Sequence, residues 1–119
     1  MEVFKSCKNL KEKLIELKKE GKTIAAYGAS AKAGTIVRAA DIGSELIDYF
    51  VDDSPAKQGL YTPIYHIPII SRKQADENLV DYFLILAVNY ADNIMAKEQT
   101  FHNNGGRFIV PRGTNIEII

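Results

Sequence analysis

Cysteine is nearly missing from this chain. Cys7 is the only one, so no intramolecular disulfide can form, and a reducing compartment fits. The only histidines, His66 and His102, lie far apart and give no metal-ligand spacing, so no metal is expected. Net charge is missing too: fifteen basic residues balance fifteen acidic ones. A chain without a broad positive field is not expected to bind nucleic acid. No apolar run approaches the ~20 residues of a membrane helix. The opening MEVFKSCKNL holds no apolar core of signal-peptide length, and a cytoplasmic protein without a membrane partner is the expectation. A G-x-S-x-G elbow and a defensible Ser/His/Asp arrangement are also lacking. With no repeat, low-complexity tract or linker, 119 residues read as one domain.

What is present is an alternation of helix and strand patterns. Val3, Cys7, Leu10, Leu14 and Leu17 recur at a three-four spacing among Lys and Glu, which predicts an amphipathic helix over about 5–20, closed by Gly21. Thr23–Tyr27 reads as a short buried strand, with a helix from about Lys32 to Ala40 ended by Gly43. Leu46–Val51 is expected as a second strand and Ile67–Ile70 as a third, with an irregular loop between them. Ser71 is a candidate cap for a helix to about Asn78. Asp81–Val88, apolar almost throughout, predicts a central strand buried on both faces. A helix from Ala91 to Asn103, a strand from Arg107 to Val110 and a last strand over Ile116–Ile119 complete the pattern. Such alternation predicts an α/β fold: a Rossmann-like parallel sheet with helices on both faces, in a single domain.

Ligands in such sheets sit at the carboxyl ends of the strands. Three segments fall there: Gly28 to Lys32, Asp52 to Lys57, and Asn89 to Asp92. The first, in YGASAKAGT, is neither common glycine loop. Ser30 stands where a dinucleotide fingerprint has its middle Gly, which lets backbone approach a pyrophosphate. Gly28 and Gly34 enclose five residues where a P-loop has four, and Lys32 precedes the second Gly. The loop still places backbone N–H groups, Ser30 and Lys32 at a helix start, an arrangement suited to an anion, or simply to a tight turn with an exposed Lys.

Asp52 and Asp53 close the second strand, where a carboxylate in a Rossmann unit takes a ribose hydroxyl, or where paired Asp residues punctuate a turn before Pro55. Asn89 and Tyr90 follow the fourth strand, placed to bond and stack on a base or sugar, or to cap a helix and pack. His66 lies in the long central loop and His102 late in a helix, and neither is expected to be catalytic.

Beyond the individual motifs, AAYGASAKAGT, IDYFVDDSPAKQGLYTPIYHIPII, LILAVNYADNIMAKE and GGRFIVP resemble the C-terminal domain of S-adenosylmethionine-dependent C-methyltransferases that act on nucleotide-linked deoxysugars. The resemblance runs from about Leu10 to Ile119 and covers nearly the whole chain. It implies a Rossmann-like domain that binds a nucleotide diphosphate sugar, typically a thymidine diphosphate sugar. It further implies that the zinc and S-adenosylmethionine sites lie on other domains, so no catalytic residue and no cofactor is expected on this chain. A methyltransferase domain or chain is the implied partner. By the same resemblance Gly28, Ser30 and Lys32 fall in the family's glycine-loop motif, Asp53, Ser54 and Lys57 in its DDSPAKQG motif, and Asn89 and Tyr90 in its Asn-containing motif. The pattern differs at Ala33, where the family commonly has Gly, and at Val88, where Trp is common.

Two other readings stay open. A strand-turn-helix unit with an acidic second strand end also suits a sensor for NAD or coenzyme A, with Ser30 counting against NAD. A structural partner domain with a decayed pocket is the other.

Overall fold

Ile24 and Ala26 turn to one side of β1 (Ile24–Tyr27), Ala25 and Tyr27 to the other, and all four are buried. That is what a strand between two helix layers requires. The computed structural model describes residues 2–28, 31–62, 65–112 and 115–119, with side chains from residue 8 onward, those at 31–33 excepted. Around β1 it builds a six-stranded sheet from β2 (Phe50–Val51), β3 (Ile69–Ile70), β4 (Tyr82–Ile85), β5 (Arg107–Arg112) and β6 (Asn115–Ile118). The order is β3-β2-β1-β4-β5-β6. Strands β1 to β5 pair in parallel, and β6 folds back antiparallel on β5. The Rossmann-like α/β architecture therefore stands, with the last strand departing from the all-parallel expectation. No helix is long and apolar enough to cross a membrane, among the described residues.

One face of the sheet carries α1 (Glu2–Lys19) and α2 (Ala31–Ala40). Leu10, Leu14 and Leu17 pack with Val37 and Ala40 over Ile24, Ala26, Phe50, Leu84 and Ile109. Each fully buried Leu contributes roughly 1.5–3 kcal/mol of transfer free energy. Gly21 closes α1 as expected, at φ 82, where its N–H and that of Lys22 reach the Lys18 and Leu17 carbonyls. Gly43 does not close α2. Asp41, at φ 53, takes the left-handed position, and Ile42 donates back to the Val37 carbonyl at 3.0 Å. The Asp41 carboxylate accepts from the Tyr65 hydroxyl and from Lys11, contacts that lower its pKa from the ordinary carboxylate value.

The other face carries α3 (Arg72–Ala75), α4 (Ala91–Lys97) and α5 (Gln99–Asn103). Ser71 caps α3, accepting the Gln74 N–H at 3.0 Å, and a 3-10 turn over Asp76–Asn78 completes the expected segment. The expected helix from Ala91 to Asn103 is two helices, broken at Glu98 (φ −101, ψ 28). β2 is shorter than expected because Leu46 and Ile47 donate back to Gly43 and are buried as anchors of a turn. β4 stops at Ile85, short of the expected Val88, and Val88–Tyr90 forms a 3-10 turn.

The two sheet edges differ. Segment 59–62 covers β3: Gly59 donates to Ile69, Ile69 to Leu60, and Thr62 to Ile67. At the far edge, Phe108 and Ile119 exchange both backbone bonds. Antiparallel alternation then turns the N–H and C=O of Ile116 and Ile118 outward.

Candidate functional site

The strand order reverses at β1, which has β2 on one side and β4 on the other. Crossovers leave the sheet in opposite directions there, so the carboxyl ends of β1 and its neighbours open into a crevice. A cleft of about 370 Å³ lies at this place. Tyr27 and Gly28 reach it from the end of β1, Val51, Asp52 and Asp53 from β2, and Ala87 from the segment after β4. Tyr90, Asn93, Ile94 and Lys97 form its remaining wall. Those four are spaced three, four and seven apart, which is one stripe of α4 and the turn before it.

Local chain chemistry sets each wall. Gly28 stands at φ 92, a conformation that L side chains rarely adopt, and donates its N–H to the Val51 carbonyl at 2.7 Å. β1 therefore turns away sharply and leaves backbone at the cleft. At the end of β2, Asp52 accepts the Ser54 N–H at 2.8 Å, and Gln58 donates to the Asp52 carbonyl at 3.0 Å. The Lys57 N–H bonds the Ser54 carbonyl at 3.0 Å. DDSPAKQG is thus a turn that bonds itself and presents Asp53 outward. The Asp53 carboxylate meets Lys97 at 2.7 Å across the cleft mouth. Tyr90 is 63% exposed, a ring left with an open face.

Beneath the cleft lies a buried polar cluster. The Tyr27 hydroxyl donates to Glu98 Oε2 at 2.7 Å, and Arg72 Nε bonds both Glu98 oxygens at 2.9 and 2.8 Å. Arg72 also pairs with Asp76 at 2.6 Å and lies over the Phe83 ring. Phe83 packs edge-on against Tyr27 and tilted against Phe101. Burial first, then the Glu98 carboxylate, pushes the Tyr27 hydroxyl far above its ordinary value, so it remains a neutral donor. The bonds to Glu98 raise Arg72 and keep it charged. No buried side-chain polar atom lacks a partner among the described residues. The cluster fixes the cleft floor and the break between α4 and α5 together.

Of the residues singled out from sequence, Gly28, Asp52, Asp53 and Tyr90 line this cleft. Ser54 and Lys57 belong to the turn behind Asp53, and Asn89 is exposed on the 3-10 turn outside the lining. Ser30 and the Lys32 side chain lie outside the described residues. His66 is an exposed turn residue at φ 53, and the His102 ring packs against Phe108. Sequence reading missed Tyr27, Val51 and Ala87 near the strand ends, and Asn93, Ile94 and Lys97 on α4. The signal for the last three was the helical stripe begun by Tyr90. No cluster of three or more metal-ligating residues forms among the described residues.

Against known proteins, residues 1–112 match the family model of the C-methyltransferase C-terminal domain. The chain is similar to the C-methyltransferase NovU of Streptomyces niveus, 45% identical over 92 residues, or 77% of this chain and 22% of that protein. It thus aligns with about a fifth of the length of this curated relative. Among solved structures it is similar to UDP-D-quinovosamine 4-dehydrogenase from Vibrio fischeri, with TM-score 0.55 and 14% identity over 82% of this chain and 93% of the other. At that identity the likeness concerns the fold alone.

Proposed function

The chain belongs to the family of C-methyltransferase C-terminal domains, and we propose that it is the part of such an enzyme that binds a nucleotide-linked sugar, a thymidine diphosphate sugar in particular. The observation that carries this reading is the cleft at the strand-order reversal, where Gly28 backbone, the outward Asp53 carboxylate and the exposed Tyr90 ring converge. Asp53 accepts hydrogen bonds from ribose or sugar hydroxyls, as a carboxylate at the end of a second Rossmann strand does. Tyr90 stacks on a base or sugar ring. The Gly28 loop, with Ser30 and Lys32, supplies donors for the diphosphate at the start of α2. Ser54 and Lys57 hold the turn that aims Asp53, and Asn89 flanks Tyr90 from outside the cleft.

On this reading the chain supplies no catalytic residue. It orients the sugar for a methyltransferase domain or a separate chain that holds S-adenosylmethionine, and it works in the cytoplasm. The place of Asp53 equally suits the ribose of NAD, which makes NAD the informative control.

Isothermal titration of the purified chain with thymidine diphosphate, NAD and S-adenosylmethionine tests the reading. Saturable binding of thymidine diphosphate alone is expected. Binding of NAD in its place would replace a sugar-binding domain with a dinucleotide sensor, and binding of none would reduce the reading to a structural domain.

A further inference from the structure

Lys97 is the only cation among the described residues that line the cleft, and it is not spent on the core. Its ammonium spans the mouth to Asp53 at 2.7 Å, with the two side chains 53% and 65% exposed. An ion pair so exposed contributes little to stability. What it does achieve is geometric: it joins α4 to the end of β2 over the opening. Asp52, the neighbouring carboxylate, already accepts a backbone N–H of its own turn. Asp53 is the one presented across the mouth.

The next residue, Glu98, is 5% exposed and bound by both Tyr27 and Arg72. The backbone beside Lys97 is therefore anchored while its four-carbon stem reaches into solvent. Breaking the pair needs only a side-chain swing, with no unwinding of α4.

We propose that Lys97 is an anion-binding residue of the cleft, held in reserve by Asp53 until a ligand bearing both a phosphate and a hydroxyl exchanges with the pair. A phosphate offers the ammonium more charge and more acceptor oxygens than one carboxylate does. The released Asp53 then accepts from the ligand hydroxyl. Phosphate capture and hydroxyl recognition become one exchange event, and a ligand with only one of the two groups leaves one charge of the pair without a partner. This inference rests on the cleft assigned under the proposed function and names how the cleft is opened.

The test is titration with inorganic pyrophosphate and with thymidine diphosphate of the wild-type chain, Lys97→Met, Asp53→Asn and the double variant. Both side chains are more than half exposed, so all four proteins are expected to share one Tm. Lys97→Met should weaken pyrophosphate binding. Asp53→Asn should tighten it about two- to fivefold, the range an exposed ion pair can withhold. In the double variant that gain should vanish, because it passes through Lys97. The same Asp53→Asn should weaken thymidine diphosphate relative to pyrophosphate.

An Asp53→Asn chain that binds pyrophosphate no better, a gain that survives in the double variant, or no pyrophosphate binding to any of the four overturns the proposal. If thymidine diphosphate fails on the wild type while the pyrophosphate pattern holds, Lys97 stands as an anion site masked by Asp53, and both the coupled exchange and the nucleotide-sugar reading fall. If thymidine diphosphate binds all four alike, the exchange falls and the nucleotide-sugar reading stands.

Discussion

On one face of the sheet, Leu10, Leu14, Leu17 and Val37 from two longer helices lie over Ile24, Leu84 and Ile109. On the other, three short helices cover Tyr27, Phe83 and Phe108, and Arg72 and Glu98 are drawn in among the rings. The first face is a largely aliphatic layer whose polar ties, such as Lys11 and Tyr65 to Asp41, lie at its exposed rim. The second combines aromatic contacts with hydrogen bonds that have one correct geometry. The cleft opens on the second face, through Tyr27, Val51 and the α4 wall. Aliphatic packing tolerates small shifts, whereas a carboxylate held by three bonds does not. A binding wall built on the second kind of core inherits its precision.

The comparison fails if both faces respond alike. Leu14→Ala removes a fully buried side chain and should cost about 2–5 kcal/mol in chemical denaturation. Thymidine diphosphate affinity per folded molecule should stay at the wild-type value. Glu98→Gln keeps the shape but weakens the charge-assisted bonds to Arg72, an expected loss of about 1.5–3 kcal/mol. Here affinity should fall as well, since the Tyr27 floor and the Lys97 backbone both hang on that carboxylate. An unchanged affinity in Glu98→Gln would erase the distinction between the faces.

Alkaline titration sharpens the contrast, because both buried tyrosines belong to the second face. Burial pushes the Tyr49 hydroxyl up from 10.0 to about 12 while it donates to the Asn78 carbonyl. A raised pKa means that the folded state holds the proton more tightly. The stability linked to it is present in full below pH 10 and lost as pH rises through about 12. Tyr49→Phe should therefore flatten the fall of Tm over that window and leave the aliphatic face indifferent. The smallest effect belongs to the outer surface of α1. Lys13→Ala, which removes a 3.7 Å pair with Glu16, should shift stability by less than about 0.5 kcal/mol.

The sheet was readable in the sequence wherever a strand is buried on both sides. The run around Phe83, Leu84 and Ile85 has no polar residue to spoil it, and its central place follows. β2 was overread because Leu46 and Ile47 are as apolar as a strand, and composition does not separate a buried turn from a buried ladder. Gly28, Asp52, Asp53 and Tyr90 were legible because each is an unusual residue in the segment that follows a strand. Lys97 was not, since a lysine late in a helix reads as solvated surface. Glu98 hid for the same reason: only the approach of Arg72 and Tyr27, distant in sequence, turns an ordinary helical Glu inward.

The unlike edges of the sheet limit how copies of such a sheet could join. Backbone groups of Ile116 and Ile118 face outward on β6, while segment 59–62 closes β3 with a tight turn. Two copies that joined β6 to β6 would make one continuous twelve-stranded sheet, with the covered β3 edge at each end. Such growth would end at its first step. Among the described residues, four residues of loop thus leave the sheet with one edge whose backbone groups face outward where two would otherwise stand.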